Sequence, residues 1–117
     1  LVENSTWQQN LTDVFYSAVA FGDIDHDGDL DLAISGCSVG GALSSCTTYE
    51  STRIYINNGT SLVESSQWQS NLTATAVGSL EFGDIDNDGD LDLALTGDKA
   101  VADKITSLYV NNGTTLT

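Results

Sequence analysis

Apolar residues along this chain come in short clusters, separated by acidic, amide-rich or glycine-containing stretches. Val14-Phe15-Tyr16-Ser17-Ala18-Val19-Ala20-Phe21 is dense in β-formers and aromatics, and it leads straight into an acidic loop. Leu30, Leu32 and Ile34 then alternate with Asp31, Ala33 and Ser35, the period-2 pattern of a half-buried strand. Arg53 to Ile56 predicts a third strand, ended by Asn57-Asn58-Gly59, where Asn and Gly tolerate the positive φ of a tight turn. Ser61 to Glu64 predicts a short fourth. No segment sustains a 3.6-residue apolar stripe long enough for a helix.

The series then recurs. LVENSTWQQNLT at 1–12 returns as LVESSQWQSNLT at 62–73, and FGDIDHDGDLDLAISG at 21–36 returns as FGDIDNDGDLDLALTG at 82–97. RIYINNGTSL at 53–62 returns as SLYVNNGTTL at 107–116, so the first copy carries an insertion between Gly36 and Arg53. The chain therefore divides into repeats 1–61 and 62–117. Four short strands per repeat is the size of one propeller blade, which predicts an all-β fold of two four-stranded blades. Residues 1–5 are expected to form the outer strand of a preceding blade. The chain opens on Leu1 and stops in phase with its own repeat, which reads as a processed product or an excerpt. Two blades leave their outer faces uncovered, so the expected partners are further blades of a longer chain or identical subunits joined head to tail.

Composition adds one sharp feature. The 117 residues carry 3 Lys and Arg against 17 Asp and Glu, a formal charge of −14. That balance excludes an ordinary nucleic-acid partner, which needs a basic face, and no apolar run is long enough for membrane insertion. Ten of the 17 acids lie in two windows. They are Asp23, Asp25, Asp27, Asp29 and Asp31, then Asp84, Asp86, Asp88, Asp90 and Asp92. Both windows read D-x-D-x-D-G-x-x-D. Alternating oxygen ligands suit a hard cation with a flexible shell, which means Ca²⁺ at two sites rather than Mg²⁺. Gly28 and Gly89 permit the bend. Asp29 and Asp90 offer main-chain carbonyls, and Asp31 and Asp92 return a carboxylate from the next strand. Neither loop holds a nucleophile or base, so both read as structural sites.

FGDIDxDGDLDLAxxG resembles the FG-GAP (VCBS-type) repeat of integrin α-subunit propellers and of related bacterial, archaeal and fungal surface proteins. Phe21-Gly22 and Phe82-Gly83 match the leading FG, and both acidic loops match the calcium loop. The resemblance implies a β-propeller with calcium pinning the loop between the first two strands of each blade. It also implies extracellular adhesion, ligand binding or scaffolding rather than catalysis.

Cys37 and Cys46 both fall in the insertion and read as a disulfide, which would contribute about 2–3 kcal/mol by loop entropy. Asn4, Asn10, Asn58, Asn71 and Asn112 each begin an N-x-[ST] sequon. Disulfide and sequons together point to a secreted, cell-surface or extracellular location. Trp7 and Trp68 occupy matching positions and read as packing between blades. His26 reads as a solvent-facing residue of its loop. Three functional classes remain. The first is a non-catalytic, calcium-stabilised scaffold or adhesin, self-assembling into a glycosylated filament or ring. The second is a carbohydrate-binding lectin with a glycan ligand, and the third an accessory domain of a secreted enzyme.

Overall fold

A computed structural model describes residues 1–38, 46, 50–99 and 103–117. The described residues form two antiparallel sheets. The first contains β1 (Val14–Gly22), β2 (Asp31–Ser38), β3 (Glu50–Asn57) and β4 (Leu62–Glu64) in sequential order. The second contains β5 (Ala76–Gly83), β6 (Asp92–Asp98) and β7 (Lys104–Tyr109). Among the described residues the second sheet thus has three strands where the repeat predicts four. Its fourth is only begun: Asn111 bridges Leu116, and Val110 and Thr117 exchange two backbone hydrogen bonds of 2.9 Å.

Two helical turns were not expected. One is α1 (Ser5–Gln8) and the other α2 (Ser66–Gln69), so residues 1–5 form no strand. Neither turn owes its existence to an apolar stripe. The Asn4 side chain accepts from the backbone N–H of Thr6 and Trp7, and Ser65 accepts from Trp68, so a cap closes each turn. The α2 turn also serves the first sheet, because Gln69 Oε1 accepts the Ile54 N–H at 3.0 Å.

β2 is buried on both faces rather than one. Leu32 and Ile34 pack with Tyr55 and Leu62 against Leu11 and Val14 of the preceding segment. On the other side, Ala33 joins Ile24 and Ile54 in a larger cluster with Trp68, Leu80, Leu93, Leu95, Tyr109 and Leu116. That second cluster lies between the sheets. Matching tyrosines anchor the incoming segments: Tyr55 Oη donates to Thr12 Oγ1 and accepts from Thr12 N, and Tyr109 does the same with Thr73.

The edge strand that opens each sheet carries a bulge. The register shifts between Phe15 and Ala18 in β1, and between Ala76 and Ser79 in β5. Tyr16 (φ 49°) and Val77 (φ 53°) take the left-handed conformation there, a costly one for a bulky aromatic and for a β-branched residue.

Candidate metal centre

Each acidic loop joins the first two strands of its sheet, from Gly22 to Asp31 and from Gly83 to Asp92. The chain curls because the fourth and sixth loop positions take positive φ: His26 and Asn87 at 63°, Gly28 at 93° and Gly89 at 98°. Gly28 and Gly89 thus make the predicted bend. The left-handed fourth position explains why it holds His in one loop and Asn in the other, since both tolerate that conformation better than most side chains.

Asp23, Asp25 and Asp27 each offer a carboxylate oxygen, and these lie within 4.8 Å of one another; Asp84, Asp86 and Asp88 do likewise. Backbone N–H groups hold the carboxylates in place. Asp23 accepts from Asp27 and Gly28 at 3.1 and 3.0 Å, and Asp84 accepts from Gly89 at 3.1 Å. Asp27 and Asp88 accept from Asp29 and Asp90 at 2.9 Å. Such a set of hard oxygens, clustered on a tight loop and facing solvent, fits a Ca²⁺-type cation by donor chemistry.

Asp31 and Asp92 stand apart from these triads. Both are fully buried, and both carboxyl oxygens of each accept a backbone N–H. Asp31 takes Ile24 and Asn57, and Asp92 takes Ile85 and Asn111, all at 2.8 Å. Each thereby staples the start of its loop to the end of the third strand, a role the sequence did not disclose. Asn57 and Asn111 complete the staple through their amides, which donate to the Leu30 and Leu91 carbonyls.

Lost hydration and crowding raise three of these carboxyls. Partial burial, then the Asp27 and Asp23 carboxylates, raise the Asp25 carboxyl above its usual range. Lost hydration and the nearby Asp88 and Asp92 charges raise Asp86. Burial raises Asp31 despite its two N–H bonds.

The loops also touch each other. His26 Nδ1 lies 2.8 Å from Asp90 Oδ1, although 62% of the His26 side chain remains exposed. Asp29 and Asp90 contribute no side-chain oxygen to the triads. Beside the first loop, a cleft of about 540 Å³ is lined by Asp25, Ile56, Asn58, Val63, Gln67 and Trp68, among others. Trp68 is packed in the core between the sheets, as a packing residue should be, whereas Trp7 is more open.

Cys37 and Cys46 form a disulfide, with Cα atoms 5.7 Å apart. Most of the insertion they close lies outside the described residues. The sequon asparagines divide into two groups. Asn10 and Asn71 donate their amides to the Leu62 and Leu116 carbonyls at 2.9 Å. Asn4, Asn58 and Asn112 are exposed and accept through Oδ1, capping α1 or closing the Asn-Gly-Thr turns. Among the described residues, no helix is long and apolar enough to cross a membrane.

Residues 43–95 match the family model for an FG-GAP-like repeat. The match runs through β3, β4, α2, β5 and the second aspartate loop into β6. No curated protein and no solved structure shows significant similarity to the chain.

Proposed function

Because the chain carries an FG-GAP-like repeat, we propose that it is a non-catalytic, calcium-stabilised β-repeat module serving as an extracellular scaffold or adhesive surface. The observation that carries this reading is the pair of carboxylate triads on matching loops, each within 4.8 Å. Asp23, Asp25 and Asp27 hold one ion, and Asp84, Asp86 and Asp88 the other. The ion supplies the positive charge that lets these oxygens converge. The chain's own contribution is the pre-bent loop and the buried Asp31 and Asp92 staples, which transmit loop order to β3 and β7. Two ions lift the formal charge from −14 to −10. The Cys37–Cys46 disulfide supports an oxidising compartment. The exposed Asn4, Asn58 and Asn112 are the sequons best placed to carry glycan without breaking a hydrogen bond of the fold.

Calorimetric titration tests the proposal. The expected result is two Ca²⁺ per chain, with Mg²⁺ binding more weakly. Asp25→Ala or Asp86→Ala should each leave one site. At a hundredfold excess over its dissociation constant, each ion stabilises the fold by about 2.7 kcal/mol, visible as a higher melting temperature. A chelator-treated chain that takes up no calcium, with its melting temperature unmoved, would sink the proposal.

A further inference from the structure

The repeats match in sequence but not in exposure, and the mismatch follows a rule. Leu80 on β5 is 3% exposed while its counterpart Val19 is 59% exposed. Phe82 packs between the sheets while Phe21 is open. These residues project from the face by which the second sheet meets the first; on the same face of the first sheet Leu32, Ile34, Tyr55 and Leu62 are covered by Leu11 and Val14, but the β1 end, at Val19 and Phe21, is open. The receiving face shows the reverse. Ile24 and Ile54 are 2% and 0% exposed, whereas their counterparts Ile85 and Leu108 are 49% and 60% exposed. The chain therefore carries one complete joint between its sheets and, on opposite sides, the two unfilled halves of a second.

The glycines record the same joint. A Cβ on Gly22 would lie 2.9 Å from the Phe82 ring and 3.0 Å from Leu91 Cδ1, so glycine is required where that ring seats. Gly83 occupies the matching place with nothing within 4 Å of its would-be Cβ. Polar contacts follow suit. Asn111 Nδ2 donates across the joint to the Ile24 carbonyl at 3.0 Å, and Asp90 meets His26. The corresponding groups, Asn57 with the Ile85 carbonyl and Asp29 with Asn87, lie on the two open sides.

We propose that a second copy of this chain docks head to tail, seating Phe21 and Val19 of one copy over Gly83, Ile85 and Leu108 of the next. The occupant is a second copy because the chain already shows both surfaces in contact: the internal joint is continuous in sequence and chemistry with the open ones. The inference rests on the repeat-module reading and not on its calcium. Such a contact is heterologous, so each copy offers one donor and one acceptor side.

Sedimentation velocity of the calcium-loaded chain over a range of concentrations tests this. The expected result is a mass that grows from 12.3 kDa with concentration. Phe21→Ser, and separately Gly83→Leu, should each weaken association about tenfold or more, as loss of a central interface anchor does. Gly83→Leu has open space to enter, and its melting temperature and calcium uptake report that it is folded. Leu108→Glu serves as a second acceptor-side variant. Mixing the Phe21→Ser and Gly83→Leu chains should restore one junction and give a two-chain species that does not grow further. A wild-type chain that stays monomeric throughout overturns the proposal, its open faces then belonging to further repeats. So does a variant that assembles as the wild type does, or a mixture that yields no two-chain species. Calcium titration of the same samples separates this failure from failure of the module reading.

Discussion

At the residue scale, the carboxyls of Asp25, Asp31 and Asp86 set the response to pH. Their ordinary value is 3.8, and loss of hydration, reinforced by neighbouring carboxylates, raises all three in the ion-free fold. An acid whose folded-state pKa exceeds its unfolded one is costly to ionise in the fold. The cost is absent below 3.8 and complete once the pH passes the raised values. In chelator, then, the melting temperature should rise as the pH falls from neutral toward about 4. With calcium the sign reverses, since protonation removes the ligands and releases the ion. Thermal melts at several pH values, with and without chelator, check both. Parallel curves would contradict the loop electrostatics. Asp31 also marks the limit of sequence reading at this scale. Its place in the D-x-D-x-D-G-x-x-D pattern was plain, but its bond to the Asn57 N–H depends on a residue far along the chain.

At the element scale, the strands were legible because two periodicities, the alternation within a strand and the repeat between copies, agreed on them. The α1 and α2 turns were not, because a single capped turn carries no apolar period. Burial of both β2 faces was hidden as well, since Ala33 and Ser35 read as the outward half of an alternation. They face inward because a second sheet and the α2 segment cover them. Matching elements in unequal surroundings also give a stability test. Trp68 is 6% exposed and Trp7 36%. Trp68→Ala should therefore cost about 3–5 kcal/mol, and Trp7→Ala well under half of that, by denaturant unfolding. Equal costs would mean that the two repeats are packed alike.

At the scale of the whole molecule, 17 acids against 3 bases make the ion-free chain self-repelling. Adding sodium chloride in the presence of chelator should raise its melting temperature by screening, and the gain should shrink once calcium is bound. A salt-independent melt would show that the repulsion is already relieved. The acidic loops and the repeat were both evident in the sequence. The directionality of the joint was not, because matching sequences become unequal only when one sheet covers another. The bulges in β1 and β5 act on the remaining exposed feature, the hydrogen-bonding rim of each sheet. Both are outermost strands, and at Tyr16 and Val77 the backbone turns away from the extended conformation. A neighbouring strand laid alongside would lose its ladder there, so the rims are guarded against sideways fusion into amyloid-like stacks.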